Sequence, residues 1–119
     1  MLRLAKDHNR LTVVDDQVGR PTWTRTLAEF MTYLVDHHCE YGVYQLSNED
    51  GCSWYEFACE ILKDKDVEVV PVTSEEYPQK AYRPRHSIMS LKKAEATGFT
   101  IPTWQTTLQE FMSQIQDNY

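Results

Sequence analysis

Hydrophobic and polar positions recur along this chain with two different periods, and the period marks the element. Leu27, Phe30, Met31, Leu34 and Val35 fall at i, i+3, i+4, i+7 and i+8. That is one face of a 3.6-residue repeat and predicts an amphipathic helix. Thr26 followed by Glu29 has the spacing of a capping box at its start. Trp54, Phe57, Ala58, Ile61 and Leu62 predict a second helix, opened by a Ser53–Glu56 capping box, with Cys52 and Phe57 spaced as a hydrophobic staple. Trp104, Leu108, Phe111, Met112 and Ile115 predict a third, capped by Thr103. A short helix is expected from Leu91, behind Ser90, to a C-terminal stop at Gly98. β-Prone runs lie at residues 11–14, 43–46, 67–72 and 87–89. Residues 1–8 favour helix but carry no N-cap, so they read as the end of a helix that begins earlier. Residues 77–85 contain Pro78 and Pro84 and no periodicity, and read as a loop. The pattern predicts an α/β chain with three amphipathic helices and three or four short strands.

Composition narrows the class without naming it. The chain has 119 residues, 41% hydrophobic and 25% charged, which excludes collagen-like, coiled-coil and wholly disordered readings. No apolar run approaches the length of a membrane span, and no basic segment followed by an apolar one opens the chain. Three cysteines, Cys39, Cys52 and Cys59, do not make a disulfide framework and fit a reducing, cytoplasmic setting. The net charge of −6 argues against a general nucleic-acid binder. The charge is uneven, however. Residues 77–94 hold no acid but carry Lys80, Arg83, Arg85, His86, Lys92 and Lys93, and residues 17–28 hold no acid but carry Arg20 and Arg25. Two cationic stretches on an acidic chain point to local anion binding.

Much familiar chemistry is missing. The four glycines, Gly19, Gly42, Gly51 and Gly98, are too far apart to build a dinucleotide or phosphate loop. No tyrosine is followed by a lysine four residues on. His37, His38 and Cys39 are consecutive, and neighbouring helical positions diverge by about 100°, so a shared metal is not expected. Asp15 and Asp16 read as a solvated turn, Trp54 and Trp104 as core, and Trp23, outside any periodic stretch, as a candidate for stacking on a ring.

Two segments carry more information. One is Val14-Asp15-Asp16-Gln17-Val18-Gly19-Arg20-Pro21-Thr22-Trp23 ahead of a helix. The other is Arg83-Pro84-Arg85-His86-Ser87-Ile88-Met89-Ser90-Leu91-Lys92-Lys93 ahead of Gly98-Phe99 and the last helix. With Gly42-Val43-Tyr44-Gln45-Leu46-Ser47-Asn48 and Ser53-Trp54-Tyr55-Glu56-Phe57-Ala58 between them, the order resembles the C-terminal part of the dTDP-4-dehydrorhamnose reductase family, extended short-chain dehydrogenases that act on sugar nucleotides. The resemblance runs from about Met1 to about Ile115. It implies the substrate-binding lobe of an extended Rossmann-type reductase, a single partial domain over residues 1–119. It implies NADPH-dependent reduction of dTDP-4-dehydro-L-rhamnose to dTDP-L-rhamnose in the intact enzyme. The NAD(P)-binding domain and the tyrosine–lysine pair would lie upstream, so this chain alone is expected to bind no cofactor and to be inactive. Expected partners are a dTDP-sugar, no nucleic acid and no membrane, and a second copy through a sheet edge left open at residues 43–46.

Residue chemistry then suggests roles. A guanidinium is a planar fork for a diphosphate, and Arg83, stiffened by Pro84, is the first candidate. Gln17 offers donor and acceptor to a sugar or base, Gly19 close backbone approach, and Arg20 and Trp23 phosphate and ring contacts. Relatives with this pattern include a regulatory subunit of methionine adenosyltransferase, so a non-catalytic interaction subunit on the same fold is the alternative. A sugar-nucleotide epimerase is a third reading.

Overall fold

The computed structural model describes residues 1–115. Within them the elements run α1 (Leu2–Asp7), β1 (Arg10–Val14), β2 (Val18–Gly19), α2 (Thr24–Asp36), β3 (Cys52–Ser53), α3 (Trp54–Ile61), β4 (Glu68–Val72), α4 (Lys92–Glu95) and α5 (Trp104–Ile115). The class is α/β, with α2, α3 and α5 as the amphipathic helices that periodicity predicted.

β1 and β4 pair in parallel, from Arg10 opposite Glu68 to Val14 opposite Val72. Asp15 N–H to Val72 O at 2.9 Å and Glu68 N–H to Asn9 O at 2.9 Å close the two ends of the ladder. Two β-branched runs suit this pleat, and α3 packs across both strands. Pro71 lies opposite Val13, and proline has no N–H to give a further neighbour. β2 and β3 form a two-residue antiparallel pair, Val18 with Ser53 and Gly19 with Cys52.

The capping box of α3 is complete. Ser53 Oγ accepts from Glu56 N–H at 3.1 Å, and Glu56 Oε1 accepts from Ser53 N–H at 3.1 Å. Ser53 Oγ also donates to Asp15 Oδ1 at 2.7 Å, which ties the start of α3 to the end of β1. A cluster of Phe30, Leu91, Ala94 and Ile101, with Leu34, Tyr44, Leu46 and Phe99 against it, seats α4 on α2.

Four expectations need correction. The start of α2 is not a Thr26–Glu29 box: the N-cap is Trp23, and Thr26 is buried inside the helix. The cap comes from Asn48, whose Oδ1 accepts from Trp23 N–H at 2.8 Å while its Nδ2 donates to Thr26 Oγ1 at 3.1 Å. Residues 43–46 form no strand among the described residues. Their alternation is real, but it places Tyr44 and Leu46 against Phe30 and leaves Val43 exposed. Residues 87–89 likewise form no strand; the segment touches β2 through one bridge, Val18 with His86. Trp54 is 55% exposed rather than core, because α3 turns its first residue outward, whereas Trp104 is buried as expected.

Candidate functional site

The two signature segments lie side by side. Val18 N–H donates to Arg85 O at 2.8 Å, and Ser87 N–H donates back to Val18 O at 2.9 Å. Arg20 Nη1 donates to Met89 O at 2.7 Å. Residues 67 to 69 apart in sequence thus form one surface, with Gln17, Gly19 and Arg20 on one flank and the Arg83 loop on the other.

The loop is held at both feet by one carboxylate. Asp16 accepts from Ser74 N–H at 3.0 Å and Ser74 Oγ at 2.5 Å, and it also accepts from Arg85 Nη1. The second arm of Arg85 donates to Glu75 Oε1 at 2.7 Å. Gln17 Nε2 donates to Ser74 Oγ at 3.2 Å. Residues 75–84 therefore arch between two fixed points. Lys80, Tyr82 and Arg83 are exposed on that arch, and Arg83 has no ion pair or hydrogen bond among the described residues. Asp16 and Glu75, brought in from outside the acid-free stretch, satisfy Arg85 and leave Arg83 uncommitted.

The other candidates divide. Gln17 is half-buried, with one amide hydrogen engaged. Gly19 has a packing reason for its lack of side chain: a Cβ there would meet Ser87 Oγ at 3.0 Å. The Ser87 hydroxyl occupies the direction a side chain at Gly19 would take. Arg20 is partly spent on Met89 O, and its charge also reaches the Glu49 carboxyl. That carboxyl is raised above the ordinary 4.5, first by a hydrogen bond with Glu95, then by burial and the Glu95 charge, with Arg20 pulling the other way. Trp23 is separated from the set. Its ring meets Phe111 edge-on at 6.2 Å, the Arg25 guanidinium lies 5.4 Å from its centre, and it lines an open apolar groove of about 850 Å³ between α1, α3 and α5.

The remaining reactive groups are structural. Burial pushes the Cys52 thiol up to about 11, so it is no nucleophile at neutral pH. All three cysteines are free. Among the described residues no three His, Cys, Asp or Glu side chains gather as a metal site. His37 stacks on Tyr33 at 3.9 Å and ends α2. Lys93 donates to Val43 O at 2.7 Å and sits over the Tyr44 ring. No glycine offers a cradle for a dinucleotide pyrophosphate, since a Cβ on Gly19, Gly42, Gly51 or Gly98 would meet a side chain of this chain at 2.8–3.0 Å. The described residues thus offer no glycine-rich loop for the cofactor's pyrophosphate.

Periodicity and composition pass over the Asp16–Arg85 pin and Asn48. The pin's one signal was opposite charge on the two signature segments; nothing in periodicity marks Asn48.

The comparisons with known proteins agree on one family. The RmlD substrate binding domain family matches residues 1–117. The chain belongs to it. A spore coat polysaccharide biosynthesis protein, SpsK, of Bacillus subtilis is 40% identical over 116 residues, 96% of this chain and 40% of that protein. The crystal structure of a dTDP-4-dehydrorhamnose reductase ortholog from Clostridium acetobutylicum superposes with a TM-score of 0.91 at 37% identity, covering 97% of this chain and 42% of that one. A dTDP-4-dehydrorhamnose reductase from Bacillus anthracis, solved in complex with NADP, gives 0.89 at 36% identity, covering 95% and 41%. This RmlD substrate-binding chain thus spans about two-fifths of the length of its relatives. Among its described residues no helix is long and apolar enough to cross a membrane.

Proposed function

We propose that this chain is the sugar-nucleotide-holding part of a dTDP-4-dehydrorhamnose reductase. Its ligand is a dTDP-linked keto-sugar, and its contribution is positioning rather than proton or hydride transfer. One observation carries the reading: on a surface where both family signatures meet, Arg83 is presented by an anchored arch while its neighbour Arg85 absorbs the nearby carboxylates. A free guanidinium on a braced loop suits a diphosphate, which it grips by paired charge-assisted hydrogen bonds. Gln17, on the facing flank, keeps a carbonyl oxygen for a sugar or base donor. In the whole reductase the nicotinamide supplies the hydride, from a site these residues do not form. The three unpaired thiols favour a reducing, cytoplasmic setting. We propose too that copies of the chain associate through the open edge of β1, in place of the 43–46 edge expected from sequence.

Calorimetric titration with dTDP tests this reading. Wild type binds, and Arg83→Ala weakens binding by about tenfold to a hundredfold, the loss of a bidentate charged contact, with an unchanged melting temperature. Equal affinity in the variant contradicts it. With keto-sugar nucleotide and NADPH supplied, the 119-residue chain leaves the NADPH absorbance unchanged.

A further inference from the structure

We infer that Asp16 is a positioning residue for nucleoside-diphosphate binding: it pins both feet of the 75–84 arch and thereby fixes where Arg83 stands. The inference rests on the reading of Arg83 as the diphosphate ligand and adds the device that presets it.

The geometry is specific. One carboxylate takes three donors, the N–H and Oγ of Ser74 at one foot and Nη1 of Arg85 at the other. Its side chain is 28% exposed, so these bonds are shielded in part from water and salt. The direct Arg85–Glu75 pair spans the same feet, but Glu75 is 71% exposed, and such surface pairs contribute little. At its first foot the arch is also turned by Glu76, whose N–H donates to Thr73 Oγ1 at 3.3 Å and whose Oε1 accepts from the same hydroxyl at 3.2 Å; beyond that turn little else holds it. Beyond Tyr77 N–H to Ser74 O at 3.3 Å, no hydrogen bond is made by residues 77–84 among those described. Those residues are exposed throughout. Closing a loop of this size costs entropy that an anchored loop has already spent before ligand arrives. From the second foot, Pro84 transmits the fixed direction to Arg83, because its ring locks φ and restricts the residue before it to extended backbone.

The sign of the effect separates this role from plain electrostatics. Asp16 is a negative charge near a site for a dianion, so Coulomb's law alone says that removing it strengthens binding. A pin says the opposite.

The experiment uses the full chain with dTDP as probe in calorimetry, on wild type, Asp16→Asn, Glu75→Gln, Arg83→Ala and the Asp16→Asn/Arg83→Ala double variant. Tryptic cleavage after Lys80 is followed in parallel; the Arg83–Pro84 bond resists trypsin. Asp16→Asn is expected to weaken dTDP by about tenfold, in the range of a lost charged hydrogen-bond set, whereas Glu75→Gln leaves affinity unchanged or slightly tighter. The double variant is expected to be no weaker than Arg83→Ala alone, since the pin acts through that arginine. Cleavage after Lys80 is expected to speed up several-fold in Asp16→Asn, as local opening becomes easier. Tighter or equal binding in Asp16→Asn, or additive losses in the double variant, overturns the inference. Cleavage no faster than in wild type overturns it whatever dTDP does. Should wild type not bind dTDP, the sugar-nucleotide reading fails, and accelerated cleavage still supports the pin. Arg85→Lys, which keeps the charge but cannot fork between two carboxylates, is expected to fall between wild type and Asp16→Asn and covers the case in which Asp16→Asn does not fold.

Discussion

Asn48 is fully buried, and its amide joins three segments far apart in sequence. It accepts from Trp23 N–H at the head of α2 and donates to Thr26 Oγ1 and to Pro102 O, the last at 3.2 Å. A buried polar group this well satisfied is costly to truncate, because its partners are left without bonds. Asn48→Ala is expected to lose about 2–3 kcal/mol, the cost of orphaning buried polar groups, read as a lower denaturant midpoint at constant slope. A loss below about 0.5 kcal/mol, the level of an ordinary surface change, contradicts that reading. Nothing near Asn48 in sequence marks it, since its partners lie 22 to 54 residues away. The proposed role of Arg83 rests on residue type and on the adjacent proline, both of which are local features. Gly19 and Trp23 meet Ser87 and Phe111, neighbours from remote segments that the local sequence does not announce.

At the scale of elements, local signals served well wherever they were strong. The α3 capping box is built as its spacing indicated, and each amphipathic helix buries part of its apolar face, but Trp54 of α3 and Met31 and Val35 of α2 stand exposed. The short strands were less legible, for alternation reports burial on one side and not the presence of a partner strand. Residues 43–46 alternate because Tyr44 and Leu46 pack on Phe30. One element-level contact has a definite pH dependence. The loop carrying Glu49 is fixed to the head of α5, by Glu49 N–H to Pro102 O and Trp104 N–H to Glu49 O, both at 3.0 Å. There the Glu49 carboxyl faces Glu95 of α4 and holds its proton more tightly than in the unfolded chain. A raised folded pKa gives stability that is fully present below the ordinary value of 4.5 and is lost as pH rises through the folded value. Glu95→Gln removes the like charge. The variant is expected to be more stable than wild type at pH 7, with the difference shrinking towards pH 4. Parallel stability curves between those pH values, followed by urea unfolding, contradict it.

Seen whole, the chain is an elongated slab of 49 × 34 × 21 Å. Its radius of gyration is 16.6 Å, against roughly 13.5 Å for a compact domain of this length. Burial is correspondingly thin: Met31, Val35, Tyr41 and Val43 stand exposed, and the groove between α1, α3 and α5 presents a further apolar surface. Such a shape leaves large apolar areas and open strand edges in water, which favours self-association. Light scattering across a concentration series is expected to show a dimer growing in, and a monomer throughout contradicts the proposed association. Sequence pattern showed the elements but not this spread, because periodicity says which face is apolar and not how much of it finds cover.

The account turns on where a nucleoside diphosphate settles, and a crystal of this chain grown with dTDP reads that directly. The expected result places the diphosphate within hydrogen-bonding distance of the Arg83 guanidinium, on the surface shared with Gln17, with Arg85 still bound to Asp16. A diphosphate seated elsewhere, with Arg83 untouched or turned onto a carboxylate of its own chain, contradicts it.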